Sequence, residues 1–80
     1  MSERSWTVRG GEDVGRAVAE IRRARHLTQT ELAELAALDR TYVSKIETGR
    51  SASVFEHALR LLHRLGATVT ITFESHDAEA

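Results

Sequence analysis

The 80-residue chain contains no cysteine, which excludes disulfides and any thiolate chemistry or metal site built on thiols. It has no apolar run long enough to span a membrane and no signal-peptide core, so the expectation is a soluble, cytoplasmic protein. There is no glycine-rich phosphate loop, because Gly10-Gly11 lacks the flanking pattern. The four histidines form no ligand set. His57 and His63 fall on different faces of one predicted helix, and no His-Glu-x-x-His spacing occurs. Neither a metal nor a cofactor is expected. No Ser, His and acid can be singled out as a triad, and a domain this short has little room for a cleft; the expectation is not an enzyme. Repeats and low-complexity segments are also missing.

Net charge is small as well, at -1, but its distribution is uneven. Val14 to Gly66 carries nine Arg/Lys against six Asp/Glu, leaving +3, while Glu74 to Ala80 has three acids and no base. A mildly basic body with an acidic tail fits a DNA binder of limited non-specific affinity, since that term scales with the phosphates neutralised. It equally fits an ordinary domain with a solvated tail. Eighty residues make one domain whose core is modest, which raises the prior for a dimer.

What is present centres on Thr28 to Ile46. Thr28 followed three residues on by Glu31 reads as a capping box. Leu32, Leu35 and Ala36 then recur at helical spacing. The chain turns near Ala37-Leu38, and Asp39 serves as a second N-cap. The helix that follows has a thin apolar stripe, Val43 and Ile46. At about 100° per residue, Thr41, Ser44, Lys45 and Thr48 point the other way, with Arg40 and Tyr42 on the flanks. Two short helices around a tight corner, the second polar and partly basic outside, form the helix-turn-helix pattern.

The remaining segments frame this pair. Residues 1–9 read as an N-terminal arm or a short strand, with Trp6 and Val8 alternating around Thr7. A helix is predicted from about Gly11 to Arg25, with Val14, Val18 and Ile21 on its apolar face and Glu12-Asp13 in its first turn. His26-Leu27 reads as a turn. Thr48 to Ala52 is a loop, and Ser53 with Glu56 repeats the capping-box signal. Phe55, Ala58, Leu59, Leu61, Leu62 and Leu65 give the next helix a broad apolar face that Gly66 terminates. From Ala67 to Glu74 the period drops to 2, with Val69, Ile71 and Phe73 on one side and threonines on the other, a strand. Residues 75–80 read as a disordered acidic tail.

The residues Thr28-Gln29-x-Glu31-Leu32-Ala33 and Val43-Ser44-x-Ile46-Glu47-x-Gly49-Arg50 resemble the Cro/C1 (Xre) family of helix-turn-helix DNA-binding proteins, from roughly Val14 to Gly66. Arg60 to Gly66 leading into the Ala67–Phe73 strand is similar to the HipB-like antitoxins of toxin–antitoxin operons. The implied fold is mainly α, a four-to-five-helix lambda-repressor-like domain over 10–66 followed by a dimerisation strand over 67–74. His26 and Ala37 stand where the family usually has glycine; a left-handed conformation at either would cost about 1 kcal/mol or more.

Arg40, Thr41, Ser44 and Lys45 are the candidates for reading base edges. Arg can pair with guanine O6 and N7, Lys can reach the same acceptors, and Thr can touch a thymine methyl. Gln29 and Arg50, with Thr28, Tyr42 and Ser53, are the candidates for phosphate contacts, which fix register but read no sequence. The ordinary alternative for the first group is a solvated helix face; for Thr28 and Ser53 it is capping. The resemblance further implies a buried ion pair between Arg22 and Glu47.

A lone strand needs a partner. Either Trp6-Thr7-Val8 pairs with it inside the chain, or two protomers pair their strands about a two-fold axis, flanked or not by the N-terminal segments. The second is favoured, with Val69, Ile71 and Phe73 as the dimer strand, since it would set two recognition helices about 34–36 Å apart on a palindromic operator. The resulting expectation is a nucleoid-associated homodimeric repressor binding double-stranded DNA, the antitoxin of a HipBA-like operon with a HipA-like kinase toxin as partner. The alternatives are a stand-alone Xre-type regulator, or a protein-neutralising module with little DNA role.

Overall fold

The helices of this chain end, and α1, α2 and α3 begin, where terminal hydrogen-bonding groups find partners. The computed structural model describes residues 2–50 and 53–75. In chain order these form β1 (Ser2–Val8), α1 (Gly11–Ala24), α2 (Gln29–Ala36), α3 (Arg40–Glu47), α4 (Ser53–Arg64) and β2 (Val69–Ser75). The α2 capping box is complete. Thr28 Oγ1 accepts from the Glu31 N–H at 3.0 Å, and Glu31 Oε1 accepts from the Thr28 N–H at 2.8 Å. The Asp39 carboxylate accepts from the Thr41 N–H at 3.3 Å and starts α3. Ser53 is already helical; the residue ahead of it lies outside the described residues, as do Ser51 and the expected tail over 75–80 apart from Ser75, which instead ends β2.

The four described helices close in one way. The N–H of Leu27, Leu38, Arg50 and Ala67 reaches back five residues, to the carbonyl of Arg22, Ala33, Lys45 and Leu62 respectively. This closure requires the residue before each of those donors to be left-handed. Gly49 and Gly66 do so at φ 84°, but the other two positions are His26 (φ 60°) and Ala37 (φ 58°). Both departures from glycine therefore sit at left-handed positions, where a Cβ costs about 1–2 kcal/mol.

α1 is the central element. Its Ala17 and Ala19 are buried with Val8, Ala33, Val43 and Leu59, and α3 crosses it at Gly15. A Cβ on Gly15 would collide with the Ile46 and Glu47 carbonyl oxygens, so only glycine permits this approach. The other side of α1 carries the sheet. β1 and β2 pair antiparallel, with Val8 opposite Val69, Trp6 opposite Ile71 and Arg4 opposite Phe73. Val8 is buried and Trp6, Val69, Ile71 and Phe73 are half-buried, whereas Ser5, Thr7, Thr70 and Thr72 are exposed. Arg4 stacks over Trp6 at 5.6 Å and reaches Glu20 of α1 at 3.6 Å.

This sheet realises the in-chain alternative for the strand. β2 finds its partner in the chain's own N-terminal segment, because Trp6 and Val8 alternate in phase with Ile71 and Val69. Val69, Ile71 and Phe73 are thus half-buried on the side of the sheet that faces α1.

α4 also differs from expectation. Only Leu59 of its apolar face is buried, while Phe55 and Leu62 are each 38% exposed, Leu61 65% and Leu65 80%. The helix docks through one narrow side. Glu56 Oε2 accepts from the Gly11 N–H at 2.7 Å, a tertiary cap for α1, and His63 Nε2 lies 3.2 Å from the Val8 carbonyl. No described element covers the opposite side.

The turn geometry makes a prediction with an unusual sign. Ala37→Gly is expected to raise stability by up to about 1 kcal/mol, since relief of the left-handed Cβ exceeds the entropic cost of glycine. Ala36→Gly, one residue earlier and helical, is expected to lower it by about as much. Urea unfolding of the two variants checks both.

Candidate nucleic-acid interface

α3 is held by its Val43 side and presents the rest. Val43 is buried, Ser44 and Ile46 are half-buried, and Arg40, Thr41, Tyr42 and Lys45 are exposed. The carbonyl of Lys45 accepts from Thr48 Oγ1 at 2.9 Å and from the Arg50 N–H at 3.0 Å, which fixes the exit of the helix. Arg50 is exposed on that exit, and Ser53 is exposed at the start of α4. Thr28, at the start of α2, is exposed with its hydroxyl engaged in the capping box.

Behind this face lies an ion pair that is nearly dry. Arg22 Nε donates to Glu47 Oε2 at 2.7 Å and Arg22 Nη2 to Glu47 Oε1 at 3.1 Å; the side chains are 11% and 6% exposed. The third arm of the guanidinium, Nη1, donates to the Leu27 carbonyl at 2.9 Å. The pair therefore ties the end of α1, the turn after it and the end of α3. Burial pushes the Glu47 carboxyl up, but hydrogen bonds from Arg22 and Gln29 outweigh it and hold the group below the usual glutamate value. The same hydrogen bond raises Arg22.

Gln29 is where the structure adds to the sequence reading. Placed as a phosphate contact from its position in the first turn of α2, it is half-buried, and its carboxamide is engaged at both ends. Nε2 donates to Glu47 Oε1 at 2.9 Å, and Oε1 accepts from Arg40 Nη1 at 3.0 Å. Nothing in the sequence signals this, because the two partners are 18 and 11 residues away on another helix. The structure thus gathers Arg22, Gln29, Arg40 and Glu47 into one connected group. Thr41, Lys45, Tyr42 and Arg50 remain as exposed side chains around it.

Fold and site define a helix-turn-helix protein, with α2 and α3 as the pair and α3 outward. A helix-turn-helix family model matches residues 18–71. That is more than half of the chain, which therefore belongs to the Cro/C1-type helix-turn-helix family. The chain is also similar to the ImmF control region 10 kDa protein of Bacillus phage phi105, at 42% identity over 40 residues, covering 50% of this chain and 44% of that protein. The match thus spans under half the relative's length. No solved structure matches the chain significantly. Family and geometry together make the matched segment a helix-turn-helix domain of the DNA-binding type. Among the described residues no helix is long and apolar enough to cross a membrane.

Removing Glu47 strands Arg22 and unties two helices, so Glu47→Ala is expected to cost about 3–5 kcal/mol in urea unfolding at pH 7. Because the folded pKa of Glu47 is depressed, its contribution is fully present above the ordinary value of 4.5 and is lost as pH falls below it toward the folded value. The difference in stability between wild type and Glu47→Gln is therefore expected to shrink below about pH 4.5. A constant difference down to pH 2 would contradict the assignment.

Proposed function

We propose that this chain is a dimeric repressor that reads a palindromic operator with α3. The observation that carries the reading is the exposed face of that helix. Arg40, Thr41 and Lys45 stand clear on an element whose only buried side chain is Val43. A single α-helix presented this way fits the major groove. Arg40, Thr41, Ser44 and Lys45 read bases, while Thr28, Gln29, Tyr42, Arg50 and Ser53 serve the phosphate backbone.

Two features support a second copy as partner. No third strand lies beside β2 among the described residues, so its outer edge can pair with itself about a two-fold axis. α4 adds an apolar stripe opposite its docked side. Val54, Ala58, Leu61 and Leu65 follow one another at spacings of four, three and four, the spacing of a coiled-coil seam, and Val54, Leu61 and Leu65 are 79, 65 and 80% exposed. The stripe carries no charge, so an identical copy is complementary to it.

The finer reading is the antitoxin of a HipBA-like operon, repressing its own promoter and binding a HipA-like kinase toxin. It is supported by the order α4, Gly66, β2, in the residues that resemble HipB-like antitoxins. A stand-alone regulator is the second reading, favoured by a relative whose name places it in a phage control region.

The Arg40→Ala, Lys45→Ala double variant is expected to lose binding to the chain's own upstream DNA in mobility-shift titrations. Co-expressed with the neighbouring reading frame, it is expected still to co-purify a stoichiometric partner if the antitoxin reading holds, and none if the regulator stands alone. Leu61→Glu, Leu65→Glu changes only exposed positions and is expected to give folded monomers in sedimentation, with operator affinity reduced at least tenfold. Dimers at normal affinity would remove α4 from the interface.

A further inference from the structure

Of the eleven Lys and Arg residues in this chain, ten are arginine and one is lysine, Lys45. That lysine stands on the outward face of α3, among the residues read as touching base edges. An arginine there would meet the same guanine acceptors, and the chain supplies arginine at every other such cation. The difference is chemical. A guanidinium is delocalised and stays protonated in proteins, so it is a poor nucleophile, whereas an ammonium that loses a proton becomes a reactive amine. With no cysteine in the sequence, Lys45 Nζ is the one side-chain nitrogen able to end as a stable acyl amide.

The fold leaves that atom open. Lys45 is exposed. Its backbone is pinned, since its carbonyl accepts from Thr48 Oγ1 and the Arg50 N–H, but its ammonium has no hydrogen bond or ion pair among the described residues. The single acid of α3, Glu47, turns inward to Arg22 and Gln29. Arg40, at the start of the same helix, is by contrast held by the Gln29 carboxamide.

We propose that Lys45 is an acylation site, and that transfer of a small acyl group from an acyl phosphate to its Nζ releases the chain from DNA. The ammonium first gives one proton to water. The amine then attacks the carbonyl carbon of the acyl phosphate; the C–N bond forms, the bond from that carbon to the phosphate oxygen breaks, and the departing phosphate takes the second proton from nitrogen. The product is a neutral amide with one N–H donor where the ammonium carried three. It removes a positive charge from the face of α3 and sets a carbonyl oxygen toward base acceptors and phosphates, which are also acceptors. The inference rests on the reading of α3 as the element that meets DNA.

The test treats folded wild type, Lys45→Arg and Lys45→Ala with acetyl phosphate. Intact mass is expected to show one acetyl group more on wild type than on Lys45→Arg, whose count reports the chain's N-terminal amine alone. Peptide mapping is expected to place the extra group on Lys45. This readout does not depend on DNA. In mobility-shift titrations with the chain's own upstream DNA, treatment is expected to weaken wild type at least about tenfold and to leave each variant at the affinity it had before treatment. Circular dichroism of treated wild type is expected to show unchanged helix content. No extra acetyl group on wild type, an acetylated Lys45 with unweakened binding, or an equal loss in treated Lys45→Arg overturns the proposal. If untreated wild type gives no shift, or Lys45→Ala binds as wild type does, the DNA reading of Lys45 fails and the proposal with it, whatever the masses show.

Discussion

The structure depends on one buried charge pair. Arg22 and Glu47 sit at the ends of α1 and α3, and between them they use three guanidinium nitrogens and both carboxylate oxygens on partners from three different segments. With Val8, Leu59, Val43 and three alanines as the buried apolar residues among those described, apolar burial alone leaves the relative placement of short helices weakly determined. A bidentate pair in a dry site has one geometry, and breaking it leaves a charge stranded. The pair therefore acts less as a source of net stability than as the element that fixes where α3 lies.

Close backbone approach is the second constraint. The ion pair can form only because Gly15 lets the end of α3 rest against α1 without an intervening Cβ. Ala17, Ala19 and Ala33 add further small residues to the core. The cost of such a core is low apolar area per residue, and the chain compensates with polar fastenings: Glu56 on the Gly11 N–H, His63 against the Val8 carbonyl, and Asp13 accepting from the Arg9 N–H at 2.8 Å. These hold the N-terminal strand and α4 to the N-terminal end of α1. They leave α4 with its largest apolar side chains outward, which is the surface a second copy would cover.

The outward face of α3 is tied to the same pair. Glu47 and Gln29 link it to Arg40, so the side of α3 that meets solvent is continuous, through hydrogen bonds, with the side that is buried. The helix-turn-helix family sets the frame in which this matters: a short helix whose exposed groups are presented rigidly, on a domain small enough to reach the groove.

The sequence by itself determined the local events. Capping at Thr28 and Asp39, the α2 and α3 boundaries, and the exposure of Arg40 and Lys45 follow from interactions within a few residues, and these are legible in spacing; the left-handed positions at His26 and Ala37 were indicated by the family resemblance alone. What only the tertiary structure decided are the contacts made between distant residues. The partner of β2 was open from sequence, since both a self-paired strand and the Trp6–Val8 segment match its alternation. The apolar face of α4 read as core because periodicity reports hydrophobicity and not whether another element lies within reach. Gln29 read as a phosphate contact because a helix N-terminus suggests anions. Its partners within the chain, Glu47 and Arg40, are brought to it by the crossing of α3 over α1 at Gly15, a geometry that no local pattern encodes.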